Sequence, residues 1–353
     1  MIRVYIAEDS PTVVHLFHRM LEGTPDFEVV GTARDGLQAK HDLQVLKPDV
    51  LVTDLHMPGL DGYELISWVM DLRPLPILVL SDAIDREGQT VVSRCLALGA
   101  LEARTKPVAG TPEQFARSRA EFQSLLRTLS GVQTVRHLPP GDVRLAKPRE
   151  SATSADPGRL APEIVAIGAS TGGHRVIQTL LERLPRTYPL PILLALHIDG
   201  AFADGLASML EASTSLRVRL GCASEPPEGG TVYLAAGGHH LTVTRDGRVD
   251  GLESLVTETL TPSVDRLFTS VAVAYGPRAC GIILTGMGRD GAVGLKAMRM
   301  AGATTFGQDE SSCVVYGMPK VAAELGAVER LMSPAQMADA LLEMGRRRRE
   351  KKA

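Results

Sequence analysis

The sequence predicts an α/β protein built from two domains joined by a linker. The chain has 353 residues, and a domain has about 150 residues as a prior. Short β-branched runs alternate with helical patterns in both halves, which is typical of α/β folds. Residues 131–161 lose this periodicity and gather prolines and glycines, as linkers do. We therefore expect one domain over 1–130, a larger one over 162–345 and a basic tail over 346–353.

Composition and charge exclude several classes of protein. The formal net charge of -3 and the pI near 6.3 give no bulk electrostatic reason to bind nucleic acid. The first residues lack the pattern of a signal peptide, and no uncharged apolar run approaches the ~18 residues of a membrane span. We expect a cytoplasmic protein with no inserted segment and a solvated, frayed basic tail.

The first half contains five predicted strands separated by helices. Helices are predicted after Pro11, up to Lys47 and from Pro112 to Ser130-Gly131. This alternation predicts a five-stranded, parallel, doubly wound sheet, whose sites form where strands end. The predicted strands are 4–6, 28–33, 49–53, 76–80 and a short run near 101–105.

Polar residues follow these strands at their carboxyl ends. Glu8 and Asp9 follow the first strand, Asp54 the third, Ser81 the fourth and Lys106 the fifth. Three converging carboxylates need a cation, and an oxygen-only site suits Mg²⁺. With the Lys106 ammonium opposite, Asp54 is predicted to attack a phosphoryl donor, and Ser81 to bind the transferred phosphoryl oxygens.

The segments EDS, TDLHMPGLDG and TKP of this half resemble the receiver domain of bacterial two-component response regulators. The resemblance implies a flavodoxin-like fold. It also implies that Asp54 is the phosphoacceptor, Glu8 and Asp9 are the further metal ligands, and Ser81 and Lys106 form the switch. Where receivers usually carry an aromatic switch residue, this chain has Ala103.

The second half predicts a larger α/β domain of mixed topology. YLAAGGHHLTV (233–243) predicts a hairpin, with His239 and His240 facing solvent. The remaining strands are predicted at EIVAIG, PILLAL (191–196), LRVRL (216–220), ACGIILT (279–285) and ATTFG (303–307). Helices are predicted over 174–184, over 202–211, over 263–275, from Ala292 and in two later stretches.

The stretch IVAIGASTGG fits two patterns at the end of a predicted strand. Gly168, Ser170 and Gly172 satisfy G-x-S-x-G, a turn that exposes a nucleophile. With Gly173, the same residues nearly satisfy the dinucleotide pattern G-x-G-x-x-G, whose second glycine admits a pyrophosphate. The side chain of Ser170 at that position argues against a cofactor. Such a site also needs an acid after the second strand, where only Asp199 is available.

Two further residues at strand ends predict a catalytic triad. If the strands that start at 164, 192 and 282 are neighbours, Ser170, His197 and Asp290 share one edge of the sheet. This is the nucleophile, base and orienter set of acyl-transfer enzymes. Backbone N–H groups at Thr171, in the Ser170 turn, or near Met287 are predicted to bind the oxyanion.

The stretches AIGASTGG, VYLAAGGHHL, TPSVDRLFTSVA, ILTGMGRDGAVGL and VVYGMPKVA resemble the chemotaxis-specific protein-glutamate methylesterase (CheB) family. The resemblance implies a Rossmann-like catalytic domain, the triad Ser170, His197 and Asp290 without a cofactor, and methylated chemoreceptor glutamates as substrate. It also implies a chemotaxis histidine kinase as phosphodonor, a monomer, and deamidation of receptor glutamines in many members. His174, the neighbours of His197 and Ala236 depart from the usual family residues.

Two alternatives stay open from the residues. The second domain could bind a nucleotide, or it could be a catalytically silent module of a chemosensory array. The favoured hypothesis is an esterase in which the unphosphorylated receiver covers the edge that carries Ser170, and phosphorylation of Asp54 releases it.

Overall fold

The structure is a computed structural model that describes residues 1–84, 89–107, 110–132, 160–198, 203–221, 224–254 and 260–352. The chain divides into two compact units, Met1–Ala152 and Thr153–Ala353. Most of the predicted linker, 131–161, and Asp199 lie outside the described residues. None of the helices in the described ranges has the length and apolar character to cross a membrane.

The N-terminal unit contains a five-stranded parallel sheet in the order β2-β1-β3-β4-β5, which confirms the predicted fold of this half. Strands β1, β3 and β4 are almost entirely buried, as expected for a sheet covered on both faces. Strand β1 pairs in parallel with β3, with Ala7 opposite Thr53, so the carboxyl ends of these two strands are adjacent. The strands are Ile2–Ala7, Phe27–Ala33, Val50–Thr53, Ile77–Leu80 and Glu102–Arg104.

Local sequence signals explain where the helices of this unit begin. Asp61 and Thr111 each form a capping box with the residue three positions later, which satisfies the first free amides of α3 and α5. Pro11 and Pro112 occupy the first helical positions, where their missing N–H costs nothing. The helices are α1 Pro11–Leu21, α2 Gly36–Leu46, α3 Gly62–Leu72, α4 Gln89–Leu98 and α5 Pro112–Ser130.

The C-terminal unit is built on a seven-stranded parallel sheet in the order β14-β13-β12-β6-β7-β9-β8. The central strand β6 lies between β12 and β7, as the triad hypothesis requires. The strands are β6 Ile164–Ala169, β7 Ile192–Leu196, β8 Arg217–Gly221, β9 Thr231–Ala235, β12 Ala279–Ile283, β13 Thr304–Gln308 and β14 Arg330–Met332.

The hairpin predicted over 233–243 is wrong. Strand β9 pairs in parallel with β7 on one side and β8 on the other, so both of its edges are occupied. Strand β10 (His239–Val243) instead pairs antiparallel with β11 (Val249–Glu253), which the sequence patterns missed, in a separate two-stranded sheet.

Helices cover both faces of the large sheet. They are α6 Gly173–Glu182, α7 Ala203–Ser213, α8 Val264–Tyr275, α9 Ala292–Met300, α10 Met318–Glu324 and α11 Pro334–Lys352. The basic segment expected to be a frayed tail is the last part of α11. Arg348 lies 2.8 Å from the carboxylate of Glu163, which precedes β6, and Arg278 lies 2.7 Å from the other oxygen of that carboxylate. This ion-pair cluster ties the helix to the domain.

Candidate functional site

Three carboxylates and one ammonium meet at the edge of the N-terminal sheet. Lys106 Nζ lies 2.7 Å from Asp54 Oδ2 and 2.9 Å from Glu8 Oε1. Glu8, Asp9 and Asp54 each offer a ligand atom within 4.8 Å of the others. Burial raises the pKa of Glu8 to about 7, although the hydrogen bond and charge of Lys106 oppose this rise. One ammonium does not balance three carboxylates, so the cluster has the donor set of a divalent-cation site.

Ser81 occupies the end of the neighbouring strand β4. Its backbone N–H donates to the carbonyl of Arg104 at 3.1 Å, and its hydroxyl accepts from the amide of Ala83 at 3.3 Å. Ala103, on β5, is buried. The structure thus places all five residues predicted for this site at the carboxyl ends of the strands, or directly after them.

The Ser170 turn continues the central strand of the large sheet by one residue. The Ser170 amide donates to the carbonyl of Thr285 at 3.0 Å, and the His197 amide donates to Ala169 at 3.1 Å. Because Ala169 pairs with Leu196, the next residues, Ser170 and His197, leave adjacent parallel strands side by side. The predicted nucleophile and base therefore share the edge.

Two glycines allow this turn to be tight. Gly172 has φ of 75°, a left-handed conformation that favours glycine, and it caps α6. At Gly286, a Cβ atom would lie 2.7 Å from Ser170 Cβ and 3.0 Å from Ser170 N. The backbone after β12 thus packs directly against the nucleophile candidate.

A buried threonine supports the same turn from beneath. Thr285 is fully buried, and its hydroxyl donates to the carbonyl of Thr171 at 3.1 Å. The same hydroxyl accepts from the amide of Val315 at 2.8 Å, while the Thr285 amide donates to Gln308 Oε1 at 2.8 Å. Thr171 is buried and held by this network, whereas the side chain of Met287 is 36% exposed.

His197 and Asp290 form a hydrogen bond at the edge. His197 Nε2 lies 2.8 Å from Asp290 Oδ2, and both side chains are largely buried. In the described part of the chain, no hydrogen bond joins the Ser170 hydroxyl to His197. Since Nε2 faces Asp290, Nδ1 is the ring nitrogen left to face a nucleophile. Hydrogen bonds of this kind are often loose before substrate binds.

The start of helix α8 holds Asp290 from the other side. Asp290 Oδ2 accepts from the amide of Val264 at 2.7 Å. Oδ1 accepts from the amides of Asp265 and Gly291, both at 3.0 Å, and from the Ser263 hydroxyl at 3.1 Å. Burial alone would raise the pKa of Asp290. The hydrogen bonds from His197 and from the Asp265 and Val264 amides outweigh burial and lower this pKa to about 2. Asp290 therefore stays ionised beside His197.

His240 does not face solvent, contrary to the sequence-based expectation. Its side chain is 1% exposed, and its Nδ1 accepts from the amide of Ser263 at 2.9 Å. His239 is half-buried, with Nδ1 2.8 Å from the Gly237 carbonyl. Strand β10 turns away from β9, and this packs His240 against the start of α8. His240 therefore anchors the residue whose hydroxyl holds Asp290.

His174 is the second residue of helix α6, directly after the Ser170 turn. It is 7% exposed, and its Nε2 atom has no hydrogen-bond partner among the described residues. Burial lowers the pKa of His174 to about 3, and the charge of Arg175 adds to this shift. The imidazole is therefore neutral at physiological pH.

Sequence reasoning missed the residues that support the triad candidates: Ser263, Thr285, His240 and the amides of α8. Ser263 carries the strongest available signal, because a serine before a helical pattern is typical of an N-cap. Nothing in the local pattern indicates that Asp290 approaches the same helix start.

The chain is similar to known proteins over almost its whole length. A family model described as CheB methylesterase matches residues 165–341, and one described as response regulator receiver domain matches residues 4–114. "Protein-glutamate methylesterase/protein-glutamine glutaminase 2" of Anaeromyxobacter dehalogenans is 40% identical over 349 residues, or 98% of this chain and 97% of that protein.

Further similarities cover the whole chain or its second half. "Protein-glutamate methylesterase/protein-glutamine glutaminase 1" of Caulobacter vibrioides is 38% identical over 351 residues, covering 99% of each chain. The crystal structure of the Thermotoga maritima CheB methylesterase catalytic domain is similar with a TM-score of 0.49 and 32% identity, covering 52% of this chain and 100% of that chain. The two family models and the full-length relatives show that this chain belongs to the CheB methylesterase family and carries a response regulator receiver domain before its catalytic domain.

Proposed function

We propose that this protein is a phosphorylation-regulated hydrolase that removes methyl groups from glutamate γ-methyl esters of chemoreceptors and releases methanol. The observation that carries the proposal is the hydrogen bond between His197 and an ionised Asp290, on the sheet edge from which Ser170 projects. This edge belongs to the domain that matches the methylesterase family.

In the proposed reaction, Ser170 is the nucleophile, His197 the base and Asp290 the orienter. The Ser170 Oγ attacks the ester carbonyl carbon while His197 Nδ1 takes the hydroxyl proton. Asp290 holds the other ring nitrogen and stabilises the imidazolium. The tetrahedral intermediate expels methanol, which takes the proton back from His197, and leaves an acyl-serine.

Water then hydrolyses the acyl-serine. His197 takes a proton from the attacking water and returns one to Ser170, which leaves a glutamate carboxylate. Backbone N–H groups at Thr171, or near Met287, stabilise the oxyanion in both steps. A glutamine amide passes through the same steps with ammonia as the leaving group, so deamidation needs no further residue.

The receiver domain supplies the regulation in this proposal. A chemotaxis histidine kinase donates the phosphoryl group to Asp54, and Lys106 and Ser81 bind its oxygens. Mg²⁺ fits the donor set of Glu8, Asp9 and Asp54, and when bound it offsets the negative charge of the transferred group. The protein acts as a cytoplasmic monomer on the helical cytoplasmic part of the receptor.

The test measures methanol release from methylated receptor, with and without acetyl phosphate. Ser170→Ala should lower the rate at least ~10³-fold, by comparison with other serine triads. Asp54→Asn should keep the unstimulated rate and abolish stimulation by acetyl phosphate. Retained turnover in Ser170→Ala would disprove the catalytic assignment, and equal rates with and without the phosphodonor in the wild type would disprove the regulatory one.

A further inference from the structure

At the N-termini of helices α8 and α9, the backbone amides of each helix donate hydrogen bonds to a carboxylate at the start of the other. Asp290 stands just before Gly291, the N-cap of α9, yet it accepts hydrogen bonds from Val264 and Asp265 in the first turn of α8. Asp265, in turn, accepts from the amide of Gly294 in the first turn of α9 at 2.6 Å. Each helix start is therefore held by an acid that belongs to the other.

The two helix starts are too close for a side chain at position 294. A Cβ on Gly294 would lie 2.7 Å from the carbonyl oxygen of Asp265 and 2.8 Å from Phe268 Cβ. This glycine lets the amide reach the Asp265 carboxylate. The reciprocal hydrogen bonds thus belong to two closely packed helix starts and are not a surface contact.

The electrostatics of this arrangement work against the ionised form of Asp265, whose pKa is raised. Burial raises the pKa of Asp265, and the nearby charge of Asp290 raises it further. The amides of Gly294 and Gly291 oppose both effects, because helix N-termini stabilise anions. The two helix starts thus compensate part of the repulsion between the carboxylates.

We propose that Asp265 is a positioning residue for the triad: through α9 it keeps Asp290 in contact with His197, and its charge adds to the field that stabilises the imidazolium. This inference rests on the proposed function, because it assigns Asp290 the orienting role. Asp265 touches Asp290 and the first turn of α9, and it acts through them. Among the residues that the structure describes, Asp290 is the charged group that interacts with both Asp265 and His197.

Two substitutions separate the geometric part from the charge. Asp265→Asn keeps an oxygen that accepts from Gly294 but removes the charge, whereas Asp265→Ala removes both. We expect Asp265→Ala to lower kcat about 10- to 100-fold with KM little changed, since misplacing a catalytic group by about 1 Å costs this much. We expect Asp265→Asn to shift the acid limb of the kcat/KM profile to lower pH, because the proton on His197 is stabilised less. Asp246→Asn, the same change at an exposed turn, is the matched control.

A second readout does not depend on turnover. The hydrogen-bonded proton between His197 and Asp290 should give a low-field ¹H resonance in the full-length protein, and Asp265→Ala should shift or abolish it while Asp246→Asn leaves it in place. An unchanged resonance together with unchanged kcat in Asp265→Ala would overturn the inference, as would an Asp265→Asn variant that loses thermal stability without any shift of the pH profile.

The two proposals fail in different ways. Ser170→Ala, assayed in parallel, tests the proposed function. If that variant keeps its turnover, the proposed function fails, and the resonance alone decides whether Asp265 positions Asp290. If Ser170→Ala is inactive while Asp265→Ala behaves as the wild type in both readouts, only the inference about Asp265 fails.

Discussion

The buried imidazole of His174 makes the stability of the C-terminal unit depend on pH. The pKa of this side chain is about 3 in the folded protein, against 6.5 for an ordinary histidine. Between these values the unfolded chain binds more protons than the folded one, so stability is fully present above pH 6.5 and falls on acidification. The start of α6 also disfavours a positive charge.

The loss of stability depends on how far the assay pH lies below 6.5, the pKa of an ordinary histidine. At pH 5 this is one and a half pH units, so protonation of His174 in the unfolded state costs the folded state about 2 kcal/mol. His174→Leu removes the titrating group, along with a buried nitrogen that has no partner among the described residues. Between pH 7 and pH 5, the free energy of unfolding of the variant should therefore fall by about 2 kcal/mol less than that of the wild type.

The assay must separate the two units. Hydrogen exchange of peptides from β6 and β7, measured in urea at pH 7 and pH 5, reports the free energy of unfolding of the C-terminal unit. The single tryptophan, Trp68, lies in α3, so its fluorescence follows the N-terminal unit and serves as an internal control. Parallel loss of stability in wild type and His174→Leu over this pH range would refute the argument.

Two further substitutions test how the Ser170 turn is held. Gly286→Ala places a methyl group 2.7 Å from Ser170 Cβ, so it should displace the nucleophile and lower methanol release by up to ~10²-fold. A normal rate in that variant, with an unchanged melting temperature, would contradict the described packing. Thr285→Val leaves the Val315 amide without its acceptor, so the free energy of unfolding measured in urea should fall by about 1–3 kcal/mol. A loss below ~0.5 kcal/mol would show that the hydrogen bonds of the buried Thr285 hydroxyl do not stabilise the fold.

Strand ends were predictable because apolar runs and the residues that follow them are local in sequence. Ser170, His197 and Asp290 each follow such a run, and parallel neighbours bring those ends to one edge. The support of Asp290 was not predictable, because it depends on contacts between 263–265 and 290 that no periodicity encodes. The Gly-Gly turn before His240 predicts a hairpin and a solvent-facing side chain, whereas β9 is already paired on both edges.

By itself, the sequence determined two α/β domains, an acidic cluster opposite Lys106, and the three residues proposed as a triad, because each follows from local patterns at strand ends. Only the tertiary structure decided which nitrogen of His197 faces Asp290 and what holds Asp290 in place. The physical reason is that the hydrogen-bond partners of a buried carboxylate depend on helix packing, which brings together residues far apart along the chain.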